Sequence, residues 1–69
     1  MAVASKEKLR VLRAKANMTQ TELADKVGRT PRSIGLYEAD VNNLRKAEYR
    51  TIEKLARVLG VTVNDIFLG

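Results

Sequence analysis

The sequence predicts an all-α fold, a compact bundle of five helices. Cap residues stand ahead of apolar stretches at Thr19, Thr30 and Thr62, and Gly28 and Gly60 each close a helical pattern. Apolar residues recur at three- and four-residue spacings, and no run alternates in the manner of a half-buried strand. Sixty-nine residues with 45% apolar content make one small domain, residues 1–69. A chain this short buries a limited share of its surface, so its stability alone is modest and a homodimer would add to it.

The first helix spans about Ser5 to Ala16, with Leu9, Leu12 and Ala16 on its apolar side and Lys6, Lys8, Arg10 and Lys15 largely on other faces. Arg13 shares the apolar side. The second helix has a fully written start: Thr19 and Glu22 form a T-x-x-E capping box, and Met18 can close with Leu23 as a hydrophobic staple. Leu23, Ala24 and Val27 are its core side. Gly28 then ends the helix in a left-handed conformation without Cβ strain, and the chain can restart at a steep angle within three residues. The third helix opens at Thr30-Pro31, with proline at the first helical position, where its missing N–H is not needed. Ile34 and Tyr37 point inward and Ser33 is small enough for close packing, which leaves Pro31, Arg32, Gly35 and Leu36 facing out. An outward leucine beside an outward arginine is odd for a merely solvated surface. It suits the edges of bases, because arginine pairs bidentately with guanine and leucine can touch a thymine methyl.

Between Ala39 and Glu48 the periodicity is lost and Asn42-Asn43 is a turn or cap signal, so this stretch reads as a loop. The longest helix follows from about Lys46 to Leu59. Tyr49, Ile52, Leu55, Ala56 and Leu59 mark its apolar face, with Tyr49 read as core and Gly60 as the stop. A last short helix starts after Thr62, whose T-x-x-D relation to Asp65 is a further cap, and carries Ile66, Phe67 and Leu68.

The ordered set Thr19-Gln20, Glu22-Leu23-Ala24, Val27-Gly28, Ser33-Ile34 and Glu38 continues into Thr51-Ile52, Leu55-Ala56 and Leu59-Gly60-Val61. With these residues the chain resembles the helix-turn-helix DNA-binding domain of the phage repressor and Cro class, and of the wider bacterial regulator family built on it. The resemblance runs from about Leu9 to Leu68 and implies a five-helix bundle of the lambda-repressor-like type with double-stranded DNA as partner. In that class an arginine at the position of Arg13 pairs with the glutamate that ends the third helix, here Glu38. The other reading of Arg13 is a side chain that snorkels to solvent. Family members often carry asparagine and glycine after that glutamate. Here Ala39 and Asp40 hold those places in a longer connection, which removes the usual basis for a backbone contact to phosphate.

On this reading the helix from Pro31 to Tyr37 enters the major groove. Gln20 opens the preceding helix, where free backbone N–H groups and the positive dipole end hold a phosphate while the side-chain amide adds a second bond. Thr30, Pro31, Arg32 and Leu36 face base edges or adjacent phosphates, with Arg32 the guanine reader. Gly35 costs about 1 kcal/mol relative to alanine in a helix interior, and either seats the helix deeper in the groove or gives Leu36 clearance. Arg45 and Lys46, helped by Arg50, neutralise flanking phosphates or reach a minor groove; the alternative is a solvated charged patch. Ile66, Phe67 and Leu68 form a self-complementary dimer surface, where the class commonly associates; alternatively Ile66 and Phe67 close the monomer core and Leu68 frays.

Catalysis finds no foothold. There is no Cys or His to form a nucleophile–base pair, and capping or solvated helix faces account for Glu7, Glu22, Asp25, Glu48 and Glu53. The same absence leaves no disulfide framework and no soft metal-ligand cluster, so neither metal nor cofactor is expected. No apolar stretch has the length of a membrane span, and Met1 to Lys6 lacks the hydrophobic segment of a signal peptide, so a cytoplasmic protein without a membrane partner is expected. The net charge of +5 fits a polyanion. The sequence thus reads as a sequence-specific transcriptional regulator, a repressor that binds a pseudopalindromic operator as a homodimer. The alternatives are an antitoxin-like or other protein-interaction module on the same fold, and a DNA-binding module belonging to a longer repressor.

Overall fold

A computed structural model describes residues 6–69 of the chain. It contains five α-helices, α1 (Leu9–Lys15), α2 (Gln20–Val27), α3 (Pro31–Ala39), α4 (Val41–Arg45) and α5 (Tyr49–Leu59), followed by a 3-10 turn at Val63–Asp65. The fold is all-helical, as expected, but the five helices are not the five that the sequence predicts. One of them lies inside the expected loop, and the expected last helix is a single turn.

Ser5, the expected first residue of the first helix, and the Met1 to Ser5 part of the segment read for targeting signals lie outside the described residues. Within them α1 begins at Leu9, because the residues before it have another use. Glu7 forms an isolated parallel bridge with Ile66: its N–H donates to the Asp65 carbonyl at 3.0 Å, and its own carbonyl accepts from Phe67 N–H at 2.8 Å. A backbone bonded to the far end of the chain cannot also wind into a helix. At that far end the Asp65 carboxylate accepts from the Thr62 backbone N–H at 2.8 Å and from its hydroxyl at 3.0 Å, and Ile66 leaves the turn extended.

Three helices end in the same way. Asn17, Gly28 and Gly60 have φ of 61°, 71° and 72°, and the N–H after each reaches back into its helix: Met18 to Arg13 O at 3.2 Å, Arg29 to Ala24 O and Val61 to Ala56 O at 2.9 Å. This is the Schellman closure, which satisfies carbonyls that the helix end leaves open. Asn17 enters the left-handed region because its short polar side chain tolerates it.

The expected loop from Ala39 to Glu48 is corrected by α4. Asp40 is extended, closes α3 with its N–H on the Leu36 carbonyl at 3.3 Å, and caps α4 by accepting from Asn42 N–H at 2.9 Å. Leu44 of α4 is fully buried. The real start of α5 follows from the same correction. The helix begins at Tyr49 rather than near Lys46, so Tyr49 sits in the first turn, 64% exposed, and is not a core residue.

The core takes Leu9 and Leu12 from α1, Leu23, Ala24 and Val27 from α2, Ile34 from α3, Leu44 from α4, and Ile52, Leu55, Ala56 and Leu59 from α5. Ile66 completes it. Each large aliphatic buried there contributes about 1.5–3 kcal/mol. α3 packs chiefly against α2 and α4, and α2 also rests on α5, so the helix with the outward leucine is held from behind by two neighbours.

Candidate nucleic-acid interface

The start of α2 is built by the capping box. Glu22 N–H donates to Thr19 Oγ1 at 3.1 Å and Thr19 N–H donates to Glu22 Oε1 at 2.8 Å. These bonds, the backbone one first, hold the Glu22 carboxyl below its ordinary range. The first N–H groups of α2, those of Gln20 and Thr21, lie ahead of any intrahelical acceptor and point out of the helix end. α3 starts likewise, with Thr30 Oγ1 accepting from Ser33 N–H at 3.2 Å and Pro31 in the first position.

The inward side of α3 is locked by charge. Arg13 donates through Nε and Nη2 to the two oxygens of Glu38, the second at 3.0 Å, and through Nη1 to the Met18 carbonyl at 2.8 Å. Gln20 Nε2 donates to Glu38 Oε1 at 3.0 Å. The Glu38 side chain is 5% exposed. Burial pushes its carboxyl up, yet the bonds from Arg13 and then Gln20, with the charges of Arg13 and Arg10, outweigh burial and hold it below the ordinary value. The hydrogen bond to Glu38 raises Arg13 in turn, against its own desolvation. One carboxylate therefore ties α1, α2 and α3 together.

The outward side of α3 carries no such ties. Pro31, Arg32 and Leu36 are exposed, Leu36 at 47%, and Gly35 is half-exposed between them. Arg32 is in none of the ion pairs among the described residues. The Gln20 amide, expected on a phosphate, has one N–H committed to Glu38 and lies over Gly35, where an added Cβ would meet it at 3.9 Å. Gly35 is thus the place where the second helix's first side chain crosses the third helix.

The remaining predicted residues fall in two places. Arg45 and Lys46 are exposed at the end of α4; Arg45 donates to Asn42 Oδ1 at 3.4 Å and lies against Gly69, while Arg50 is exposed in the first turn of α5 beside Tyr49. The set expected at a dimer surface divides. Ile66 is 0% exposed and is spent on the monomer's own core, so it has no surface to offer a partner. Phe67 and Leu68 are half-buried, and Phe67 lines a groove of about 300 Å³ with Arg10, Tyr37, Val41 and Leu44. None of Pro31, Arg32, Gly35 and Leu36 borders that groove.

The sequence reading misses Arg29. Standing in the turn between α2 and α3, it donates through Nη2 to Thr51 Oγ1 at 2.8 Å and to Glu48 Oε1 at 3.3 Å. No local pattern could have found this, since the three residues belong to segments that meet only in the fold. Among the described residues no group of three or more His, Cys, Asp or Glu is placed to hold a metal ion, and no helix is long and apolar enough to cross a membrane.

A family model described as helix-turn-helix matches residues 9–66. No curated protein and no solved structure matches the chain.

Proposed function

Because the chain belongs to the helix-turn-helix family, the DNA-binding regulators of phage repressor and Cro type, we propose that it is a sequence-specific transcriptional repressor that reads a pseudopalindromic operator as a homodimer. The observation that carries the reading is the division of α3 between a locked inner side and an outer strip of Pro31, Arg32, Gly35 and Leu36, whose side chains enter no ion pair or hydrogen bond among the described residues. A held helix with an unpaired guanidinium and an exposed leucine fits a major groove, where guanine offers two acceptors and thymine a methyl.

In this mechanism the open end of α2 takes a phosphate through its first N–H groups, and the spare N–H of the Gln20 amide supports it. Thr30 and Pro31 bring the chain to the groove edge, and Arg32 reads a base. Lys46, Arg45 and Arg50 neutralise flanking phosphates and release counterions, which adds affinity without sequence information. Phe67 and Leu68 supply the apolar part of the dimer contact, and half-sites lie about 34 Å apart so that two copies of α3 enter successive major grooves. A DNA partner of this kind implies a cytoplasmic protein.

The test is selection of bound duplexes from a random pool, with a mass measurement of the complex formed. The reading expects a two-fold symmetric site and two chains per duplex, with binding that weakens steeply with salt. Recovery of no preferred sequence, together with tight capture of a protein partner, would replace it with the protein-interaction reading.

A further inference from the structure

We propose that Arg29 is a positioning residue for base reading: it pins the N-terminal end of α3 to α5 and thereby sets the pose of Arg32. The proposal rests on the reading of α3 as the helix that enters the groove. Only Gly28, Arg29 and Thr30 separate α2 from α3. The Arg29 backbone N–H closes α2 on the Ala24 carbonyl at 2.9 Å, while its side chain crosses to the first turn of α5.

Two features at the far side show that this crossing is built in. Thr51 is buried in the core, 4% exposed, and a hydroxyl withdrawn from water needs a hydrogen-bond partner, which Arg29 supplies at 2.8 Å. Glu48 occupies the N-cap position of α5 but makes no side-chain cap bond, unlike Thr19, Thr30 and Asp40 at theirs. Its carboxylate goes to Arg29 instead.

α3 is therefore held at both ends. Glu38 fixes its C-terminal half to α1 and α2, and Arg29 fixes the turn before its N-terminus to α5. Arg32 stands three residues after Arg29, across the N-cap Thr30 and a proline of fixed φ, so little in between can absorb a displacement. Hydrogen bonds to base edges weaken steeply with misalignment, so a small shift of this turn falls on sequence preference. Arg29 is 38% exposed in a basic chain, and the competing role is a direct phosphate contact. Its Nη2 is committed to two acceptors within the fold, while its Nη1 and Nε hydrogens are left for such a contact, so the salt slope is what separates the two roles.

The experiment uses the full chain, the selected duplex and a scrambled one, each titrated over a range of salt, with wild type, Arg29→Met, Thr51→Val and the double variant. Thermal unfolding fixes an assay temperature at which each is folded, and Arg29→Met, changed at a partly exposed side chain, decides alone if Thr51→Val does not fold. Each single variant is expected to lower the ratio of specific to scrambled binding about tenfold, the size of one lost bond from a charged donor. The double variant should lose no more than a single one, and the slope of log K against log salt should stay at the wild-type value. A role in stability alone would lower the melting temperature and, at this assay temperature, leave both affinities and their ratio unchanged, which would overturn the proposal. So would a retained ratio with a slope shallower by about 0.9, the mark of one lost phosphate contact. A wild-type chain without preference would overturn the reading of α3 and this proposal with it, whereas a preference that Arg29→Met keeps overturns the proposal alone.

Discussion

The two sides of α3 differ in what the rest of the chain does for them. Toward the core, Ile34 is fully buried and the Glu38 carboxylate accepts from Arg13 and Gln20. Toward solvent, Arg32 and Leu36 are exposed, and Arg32 enters no ion pair among the described residues. The difference teaches how a domain this small can present reactive groups in fixed positions: the helix is immobilised from behind by charge and packing, so that its front side can stay unsatisfied until a partner arrives.

The largest effect is expected on the inner side. Arg13→Ala leaves Glu38 buried with only the Gln20 amide, and should destabilise the fold by about 3 kcal/mol, the low end for breaking a buried pair because Arg13 keeps some exposure. Denaturant unfolding measures it. A loss below about 1 kcal/mol, the range of exposed pairs, would mean that α3 is held by packing alone.

Acidification probes the same carboxylate more gently. The folded value of Glu38 lies below its ordinary 4.5, so its contribution is complete above that pH and is lost as pH falls through the depressed folded value. Glu22 and Asp65 are lowered in the same direction at their caps, so wild type should weaken steadily in this window. The Glu38→Gln variant, less stable near neutrality, has no carboxylate to protonate at this position. Its unfolding free energy should therefore fall less steeply than that of wild type over the same acid window. Equal pH dependence of the two chains would place the acid-sensitive interaction elsewhere.

How much of this contrast is legible in the sequence depends on distance along the chain. The α2 and α3 boundaries are local: Thr19 with Glu22, Gly28, and Thr30 with Pro31 each write their signal within four residues, and the structure follows them. α4 is also local yet escapes the pattern, because five residues make little more than one turn, too few to show a period. Its signal is Asp40, a cap residue two places before Asn42, with Leu44 the apolar residue that anchors the helix. Without α4 the expected start of α5 moves back to Lys46, and that displacement turns Tyr49 inward. The Glu7–Ile66 bridge and the bonds from Arg29 to Thr51 and Glu48 are invisible for another reason. Backbone pairing leaves no side-chain pattern, and an arginine in a turn looks the same whether it faces solvent or a buried hydroxyl.

The smallest effect has the opposite sign. At Gly35 an added Cβ meets nothing closer than the Gln20 amide at 3.9 Å, ordinary van der Waals contact, so Gly35→Ala should raise stability by about 0.5–1 kcal/mol through helix propensity. If the front of α3 is shaped for a partner, the more stable variant should bind the selected duplex no better than wild type. Thermal melts and duplex titrations decide it, and a destabilised Gly35→Ala chain would show that the space over this glycine is needed by the fold itself.

The central claim is that the exposed front of α3 reads sequence, and Arg32→Ala tests it most directly. The variant removes an exposed side chain that enters no ion pair among the described residues, so its unfolding free energy should stay within about 0.5 kcal/mol of wild type. Its affinity for the selected duplex should fall by about 1–3 kcal/mol, with preference relaxed at one base-pair position in each half-site and binding to scrambled duplex changed much less. An Arg32→Ala chain that is folded and still holds the full wild-type preference between selected and scrambled duplexes would contradict the account.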